Sequence, residues 1–508
     1  MSRGAGQAES GFFCAPLFPK MNVKQCSCPP CLKIPPEFQA GFTVGIHKAT
    51  AKEIPMARTF VLVLGFLLLI PVAAPGAIVT VGPSDCSDTA VNAAIAAANS
   101  GDVINLTCTG TASWANMVTI PSTKGLTIQG PGSNTPKTSA SFPLIISFTN
   151  ASAPAIQISC GVNMPLSRVT GLKFQGVAGT SGGTYSYIMV HGQGLGTTGI
   201  GAYRIDNCYF DTIQAEPVVL LNGDAGELTG LVDDCTFHDC NYDNYNIMVR
   251  ETNAAGCLTG CYGCNSWTRP FNFGDAHFHF IEDCLFEQLT QYNRHMVSCD
   301  GSGGRYVVRY CTLNSQLAGT SPDYIDAHGD GTGGLGVGTR GGEIYSNTFM
   351  GTSTSVGRDI VLRGGQFLVY NNTFTTTGYI PTPVYLNEYR ADVSGPDSGS
   401  CTELQNPSAC NPGIPQCVDG STNEFNTWYP LPGQIRGTYL WNNILGGVNQ
   451  SPTIEPDSYV SQYIQANRDF WVSTSQPSAL SGYTPYPYPH PLRQAVTISP
   501  PTGLHVIQ

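Results

Sequence analysis

The sequence predicts an all-β protein, a right-handed parallel β-helix (β-solenoid) in which short strands stack coil upon coil. Two strand-like strings recur out of phase with each other between residues 126 and 445. Copies of the first lie 27 residues apart at Cys208 and Cys235 and 25 apart at Asn347 and Asn372. A period in the twenties without helical spacing is typical of a β-solenoid, whose coils bury a core only by stacking.

The first string is a β-rich stretch that ends in Cys or Asn, followed by a small or polar residue and an apolar one. Its copies centre on Cys208, Cys235, Cys284, Cys311, Asn347, Asn372 and Asn443. Successive coils lie about 4.8 Å apart, so we expect one inward-facing column in which like residues stack. Asparagine amides can hydrogen-bond along such a stack, and buried cysteine fills the same position as a small apolar residue. We therefore expect these cysteines to be free, since neighbouring strand positions rarely offer disulfide geometry.

The second string ends in a polar residue. Because each period contains one copy of each string, we expect two strands and a turn per period. The polar column is His191, Asn222, Arg250, Asp300, His328, Arg363 and Asn387. The position two residues earlier holds Met189, Leu220, Met248, Ser298, Asp326, Val361 and Tyr385. Side chains alternate between the two faces of a strand, so both positions are expected to face outward.

An export signal is predicted near the N-terminus. Residues 56–77 have the layout of a secretory signal peptide, with a basic start at Met56, an apolar run over 59–72 and small residues after it. The apolar run is short for a transmembrane span, so we expect no span in the mature protein. The alternative is an uncleaved signal anchor. Residues 1–55 are an upstream extension, most simply explained if translation starts at Met56.

The remaining segments complete the domain organisation. Residues 88–99 predict a short helix that caps the N-terminal end of the solenoid, which would otherwise expose its core and strand edge. Residues 78–450 are expected to form the β-helix domain, with long loop insertions at 252–275 and 391–435. Residues 451–508 form a Pro/Tyr-rich tail that its prolines keep extended.

The net charge of the chain bears on whether it binds nucleic acid. The formal net charge is −11, and only 12% of residues are charged. Binding to duplex nucleic acid needs a basic stripe, so a nucleic-acid partner is not expected.

Three short motifs resemble the pectate-lyase-like β-helix superfamily. A predicted helix is followed by Gly-Asp at 101–102 and a strand, then by an Ile-x-Gly-x-Gly turn at 128–132. The Asn-Asn-Thr-Phe copy at 371–374 resembles the same superfamily. The resemblance covers roughly residues 85–450 and implies the fold and a polysaccharide partner. It carries no catalytic residue across, because the sequence lacks an unambiguous active-site signature of the family.

Polar residues concentrate on adjacent coils of the second string and predict a site there. The candidate catalytic residues are Asp300, Asp326, His328 and Arg363. The candidate substrate-binding residues are Arg250, Arg340, Glu343, Glu388 and Arg390. We expect the catalytic group to meet on one exposed face, flanked by Arg340 and Glu343. The competing interpretation is a surface ladder of ion pairs between coils, and the density of Asp, His and Arg in a chain of low charge favours a site.

A polysaccharide lyase is the reaction class that this residue set favours. A lyase needs a base that takes the proton α to a uronate carboxyl, and His328 can serve because its charge changes near neutral pH. Arg363 or Arg340 could neutralise the carboxylate. Alternatively, Asp300 and Asp326 could hold Ca²⁺ through oxygen ligands.

Two other classes stay open. A glycoside hydrolase needs two carboxylates on either side of the glycosidic bond, for which Asp300 with Asp326, or Asp326 with Glu343, are the candidate pairs. A non-catalytic cell-surface or carbohydrate-binding protein could use the same fold. Arginine and histidine are as prominent as the acids, which favours the lyase on an acidic glycan.

Overall fold

The structure is a computed structural model, and it describes most of the chain from residue 76 to residue 494. The described ranges are 76–135, 137–150, 152–176, 186–192, 200–215, 217–223, 227–240, 245–251, 270–290, 295–299, 303–317, 323–328, 339–351, 357–376, 381–387, 435–454 and 464–494. Residues 1–55, most of the signal segment 56–77 and most of both insertions lie outside these ranges.

The described residues form one α-helix, three short 3₁₀ helices and a long series of strands. The helices are α1 Asp88–Ala97 and the 3₁₀ turns Ser139–Ser141, Ser478–Leu480 and Pro491–Arg493. The strands are β1 Ile78–Val81, β2 Val103–Leu106, β3 Gly110–Trp114, β4 Val118–Ile120, β5 Thr127–Gln129, β6 Leu144–Phe148, β7 Ile156–Cys160, β8 Ser167–Thr170, β9 Lys173–Gln175, β10 Ile188–Gly192, β11 Ile200–Asp206, β12 Tyr209–Asp211, β13 Val219–Asn222, β14 Glu227–Asp233, β15 Thr236–His238, β16 Tyr245–Arg250, β17 His279–Glu282, β18 Leu285–Gln288, β19 His295–Cys299, β20 Arg305–Arg309, β21 Thr312–Ser315, β22 Asp323–Ala327, β23 Gly341–Tyr345, β24 Thr348–Gly351, β25 Gly357–Leu362, β26 Gln366–Tyr370, β27 Thr373–Thr376, β28 Pro381–Leu386, β29 Thr438–Trp441, β30 Ile444–Leu445, β31 Val448–Asn449, β32 Thr453–Ile454 and β33 Phe470–Ser473.

These strands build three sheets, and the fold is the predicted right-handed parallel β-helix. Sheet 1 has the order β1-β2-β5-β8-β11-β14-β17-β20-β23-β26-β29-β33. Sheet 2 has the order β3-β6-β9-β12-β15-β18-β21-β24-β27-β30-β31, and sheet 3 has the order β4-β7-β10-β13-β16-β19-β22-β25-β28-β32. Pairing is parallel except between β30 and β31.

Each coil has three strands, so the expectation of two strands per period was wrong. The first string covers the end of a sheet 1 strand and the start of a sheet 2 strand, which read as one stretch. For example, β14 ends at Asp233 and β15 begins at Thr236. Only two residues make this bend, which is too few for a recognisable loop in the sequence.

A residue in the left-handed conformation makes this two-residue bend possible. The residues are Asn207, Asp234, Asp283, Tyr310, Ser346, Asn371 and Asn442, with φ between 50° and 57°. Asn and Asp adopt this conformation more readily than most residues because their short side chains bond locally. This preference explains the polar residue that comes before most copies of Cys or Asn in the first string.

The second residue of each bend forms the predicted inward-facing column. Asn347 Nδ2 donates to Asn372 Oδ1 (3.1 Å), and Asn372 Nδ2 donates to Asn443 Oδ1 (2.9 Å). At the upper end, the backbone N–H of Cys311 donates to Asn347 Oδ1 (2.9 Å). The four cysteines of the column are buried and free, as expected: Cys208, Cys235, Cys284 and Cys311. The asparagine ladder is therefore confirmed.

The core shows the same stacking in its aromatic residues. Phe174, Phe210, Phe237 and Phe286 come from successive strands of sheet 2, and neighbouring ring centroids lie 5.2, 4.7 and 4.9 Å apart. Their planes are nearly parallel, with interplanar angles of 13°, 8° and 6°. The coil spacing therefore fixes how side chains meet in the interior as well as how the backbone pairs.

The ends of the solenoid extend this pattern. Helix α1 buries Val91 and Ile95 in the core, and the side chain of Ser87 accepts a hydrogen bond from the third helical N–H. Its role as an end cap stays a prediction.

Strand pairing continues past residue 450, the expected domain boundary, because β32 and β33 join sheets 3 and 1. Among the described residues, no helix has the length and apolar character to cross a bilayer.

The ladder generates a stability prediction. Asn372 donates to Asn443 Oδ1 and to the carbonyl of Ile344, so Asn372→Asp leaves two buried acceptors facing a carboxyl group. Each lost donor costs about 1–3 kcal/mol, so we expect the free energy of unfolding to fall by about 3 kcal/mol or more. Chemical denaturation measures it. Asn371→Asp is the matched control, since Asn371 is exposed and aspartate tolerates its positive φ. Equal stability of the two variants would contradict the ladder.

Candidate active site

The polar residues of the second string lie on the outer side of sheet 3. The two predicted columns are in register wherever the structure describes them: His191 pairs with Asn222 and Asn222 with Arg250, and Ser298 pairs with Asp326. Ile325 and Ala327, which flank Asp326 on β22, belong to the core, so Asp326 points away from it. The parallel register therefore brings residues of successive coils to one place on this side.

Asp326 is the centre of a compact cluster of charged groups. Its Oδ2 lies 2.6 Å from His328 Nε2 and 3.6 Å from His295 Nε2, and its Oδ1 lies 3.0 Å from Arg363 Nε. These are ion-pair distances, although neither carboxylate oxygen accepts a hydrogen bond of good geometry from a residue that the structure describes. The structure thus brings together Asp326, His328 and Arg363 as the sequence predicts.

A second carboxylate joins this cluster on its other side. Asp323 accepts two parallel hydrogen bonds from Arg358, Nε to Oδ1 and Nη2 to Oδ2, both 2.8 Å. Arg363 Nη2 lies 3.4 Å from Asp323 Oδ2, so Arg363 contacts both acids. Arg358 also lies over the ring of Tyr385, 5.2 Å from its centroid. Two carboxylates thus face two guanidinium groups.

The expected exposure of the cluster was wrong. Asp326 is fully buried, and His328 and Arg363 are 6% and 3% exposed. Burial of Asp326 by itself raises the pKa of its carboxyl group, but Arg363, His328 and His295 outweigh it and lower the pKa below its usual value. Asp326 is therefore ionised. The attraction between its charge and the neighbouring cations is strong, because the dielectric constant of a buried site is low.

His295 is oriented by the backbone of the next coil. Its Nδ1 lies 3.1 Å from the carbonyl oxygen of Asp323. A carbonyl can only accept, so Nδ1 carries the hydrogen and donates it. The ring stacks on Tyr245 of the preceding coil, with centroids 5.3 Å apart. These two contacts fix the ring so that Nε2 points at Asp326.

A third buried acid lies next to the cluster. Asp359 is fully buried, and among the described residues neither of its carboxylate oxygens has a hydrogen-bond partner. Burial, and then the charge of Asp323, raise the pKa of Asp359 well above its usual value. Its surroundings therefore favour the protonated, uncharged form of Asp359.

Glu343 does not flank the cluster, which corrects the sequence-based expectation. It lies on β23 of sheet 1, where its oxygens accept hydrogen bonds from Gly274 N and the Tyr483 hydroxyl, both at 2.6 Å. It is buried beneath the C-terminal segment on the outer side of that sheet. The hydrolase pair of Asp326 and Glu343 is therefore excluded, because the two acids belong to different sides of the solenoid.

Arg340 is also turned toward sheet 1. Its guanidinium carbon lies 4.5 Å from the ring centroid of Phe271, and its Nη1 donates to Gln366 Oε1 (3.1 Å). Arg250 lies on the correct face, two strands from His328 and so about 10 Å away. The remaining sequence candidates, Asp300, Glu388 and Arg390, lie outside the described residues.

The sequence reasoning missed His295, Asp323 and Arg358. Strict alternation places position 324, not 323, on the outer side with Asp326. Tyr324 instead enters the core, where its hydroxyl donates to the carbonyl of Met350 (2.8 Å). The alternation is thus broken at the start of β22, and Asp323 shares the side of Asp326. His295, Asp323 and Arg358 could have been identified in the sequence if His, Asp and Arg had been considered at every position of adjacent repeats.

Comparisons with known proteins add little. No protein-family model matches the sequence, and no curated protein does. Among solved structures, the chain is similar to the crystal structure of alginate lyase from Paenibacillus sp. str. FPU-7, with 11% sequence identity and a TM-score of 0.33. That similarity covers 61% of this chain and 99% of that chain. A likeness at this level carries no information about the residues around Asp326.

The charge balance at Asp326 predicts a pH-dependent stability difference. Asp326→Asn removes the nearer of the two carboxylates that Arg363 contacts, so we expect the free energy of unfolding to fall by about 3–5 kcal/mol at pH 7. The pKa of Asp326 is lower in the folded than in the unfolded chain, so its stabilisation is present above about pH 4 and declines as pH falls. The deficit should therefore be smaller at pH 3.

Chemical denaturation of both proteins at pH 7 and pH 3 measures this difference. Asp85→Asn, which removes the same charge from an exposed side chain and keeps an oxygen to accept from the Ser87 N–H, is the control and should lose about 1 kcal/mol at most. A deficit that is the same at both pH values would show that Asp326 does not stabilise the fold through its charge.

Proposed function

We propose that this protein is an exported polysaccharide lyase that acts on an acidic, uronate-containing glycan at the Asp326 cluster. The observation that carries the proposal is the contact between Asp326 and both His328 (2.6 Å) and Arg363 (3.0 Å). A lyase needs a base and a cation beside the substrate carboxylate. The two contacts of Asp326 bring a candidate base, His328, and a candidate cation, Arg363, to one place.

His328 is the proposed base. Asp326 Oδ2, 2.6 Å from Nε2, favours the tautomer with the hydrogen on Nε2, which leaves the lone pair of the neutral ring on Nδ1. Nδ1 takes the proton α to the uronate carboxyl group, a double bond forms to the neighbouring carbon, and the glycosidic C–O bond breaks. The imidazolium then returns the proton to the departing oxygen. Asp326 stabilises the imidazolium during this transfer, because it is buried and ionised.

Arg363 is the proposed partner of the substrate carboxylate. Guanidinium stays charged and binds carboxylates through two parallel hydrogen bonds. Its pair with Asp323 is the longest of the arginine contacts in the cluster, at 3.4 Å. Burial raises the pKa of Asp323, while Arg358 opposes the shift. A substrate carboxylate that binds Arg363 therefore loses the least interaction energy by replacing the contact between Arg363 and Asp323.

The accessible side of the cluster suggests the direction of approach. The side chain of Arg358 is 29% exposed, in contrast to the buried Arg363 and Asp326. Tyr385 beside it is half-buried and supplies an aromatic face on which a sugar ring can stack. We expect the glycan to enter over Arg358 and Tyr385.

A substitution at His328 tests the proposal. The parent protein is screened against acidic polysaccharides, with ultraviolet absorbance reporting unsaturated products and a reducing-end assay reporting all cleavage. His328→Gln keeps a donor for Asp326 but has no basic nitrogen, so absorbance should fall by 10²-fold or more, roughly the contribution of a general base. His238→Gln, a half-buried histidine on sheet 2, should keep full activity.

Three results of this screen would argue against the lyase. Reducing ends without absorbance would indicate a hydrolase. Binding without cleavage of any glycan would indicate a carbohydrate-binding protein. Absorbance that survives in His328→Gln would assign the base to another residue. Because His328 is buried, the folded state of the variant is checked by circular dichroism before its activity is interpreted.

Export is the second part of the proposal. Cys86 and Cys108 form a disulfide with their Cα atoms 6.1 Å apart, which supports folding in an oxidising compartment. Small residues after the apolar run indicate signal cleavage, so exported protein should begin near Pro75 or Ile78. N-terminal sequencing of secreted material measures this. A mature chain that begins at Met1 or Met56 would contradict signal cleavage.

A further inference from the structure

We propose that His295, Asp326 and His328 form a binding site for a divalent transition-metal ion of the Zn²⁺ type. One ligand atom from each of the three residues lies within 4.8 Å of the other two, and all three residues are buried. Asp326 Oδ2 lies 2.6 Å from His328 Nε2 and 3.6 Å from His295 Nε2. Two imidazoles and one carboxylate are a ligand set that such ions favour, and three protein ligands leave a position for a further molecule.

The orientation of His295 is the first argument. Because Nδ1 donates its hydrogen to the carbonyl of Asp323, the neutral ring has its lone pair on Nε2. That lone pair points at Asp326 Oδ2, 3.6 Å away. Two electron-rich atoms face each other in a buried site, which is unfavourable unless a cation or a proton lies between them. The hydrogen bond from the other ring nitrogen to a carbonyl is also the usual outer contact of a metal-bound histidine.

The two oxygens of Asp326 supply the second argument. Oδ1 faces Arg363 Nε at 3.0 Å, whereas Oδ2 faces both histidine nitrogens. One oxygen is therefore held by an arginine while the other converges with two imidazoles. Outer hydrogen-bonding or ionic partners of this kind orient metal-binding carboxylates. Within the described ranges, neither oxygen accepts a hydrogen bond of good geometry, although Asp326 is fully buried.

The donor atoms determine the class of metal. Ca²⁺ and Mg²⁺ require oxygen ligands, and here two of the three donors are nitrogen. Zn²⁺, Co²⁺ and Ni²⁺ accept imidazole readily. Arg358 and Arg363 balance Asp323 and Asp326, so a divalent ion adds positive charge to a neutral cluster. We therefore expect a reversible site, weaker than a structural zinc site.

Metal binding would have a definite effect on the lyase, and this consequence rests on the proposed function. A metal ion on His328 Nε2 leaves the ring hydrogen on Nδ1, the nitrogen that the base uses. The metal-loaded protein therefore lacks the basic lone pair. We expect excess Zn²⁺ to inhibit cleavage and a chelator to restore it.

The test measures binding directly, without a glycan. Tag-free protein is stripped with a chelator and titrated with Zn²⁺ by calorimetry and with Co²⁺ by visible absorbance, whose d–d bands report nitrogen ligation. We expect one equivalent to bind in the parent protein and in His238→Gln. In His295→Gln, affinity should fall by on the order of 100-fold or more, since changes even to outer partners of ligands cost about 10–100-fold. Ca²⁺ in large excess should not compete.

The outcomes separate the two proposals. If neither Zn²⁺ nor Co²⁺ binds, or if His295→Gln binds as tightly as the parent, the metal site is wrong and a proton on His295 Nε2 explains the contact. That result leaves the lyase untouched, because lyase activity is measured in chelator. Conversely, metal binding without any unsaturated product supports the site and removes the lyase. Asp326→Asn, with circular dichroism to verify folding, provides a second variant that should lose the Co²⁺ bands.

Discussion

Parallel pairing between successive coils holds each residue over the residue at the same place in the coil before it, about 4.8 Å away. The asparagine ladder, the stack of phenylalanine rings and the Asp326 cluster all follow from this spacing. A residue in the left-handed conformation at each bend between sheets 1 and 2 keeps the register constant, because it lets two residues make the turn. If one strand slipped by a single residue against its neighbour, its inward and outward side chains would exchange faces.

The Asp326 cluster, which the register brings together, costs desolvation energy because it buries charged groups. Six charged or titratable groups from three successive strands meet where water is largely excluded: His295, Asp323, Asp326, His328, Arg358 and Arg363. Buried ion pairs rarely stabilise a fold more than apolar residues of the same size would. Asp359 beside Asp323 adds a buried carboxyl group that has no hydrogen-bond partner among the described residues. An arrangement with this energetic cost is typical of a functional site more than of a stabilising element.

The outer side of sheet 1 shows the contrasting, structural use of charge. Arg309 contacts Glu282 and donates to the Tyr345 hydroxyl and to the carbonyls of Tyr486 and Pro487, so it attaches the C-terminal segment to the sheet. Glu343 takes part in the same attachment through Tyr483. These groups have nearly complete sets of partners, whereas no described residue donates a hydrogen bond of good geometry to either oxygen of Asp326. Charged groups on the two sheets thus differ in how completely their hydrogen-bonding capacity is used.

The sequence by itself determined the solenoid, the inward ladder and the register of the second string, because a stacked repeat places like residues at like positions. It also identified Asp326, His328 and Arg363, which recur at matched positions of that string. Only the tertiary structure decided that each coil has three strands, since the bend between sheets 1 and 2 is too short to read. It also decided that Glu343 belongs to the other side, and that His295, Asp323 and Arg358 join the site. The physical reason is local: Tyr324 turns into the core and breaks the alternation on which the sequence pattern depends.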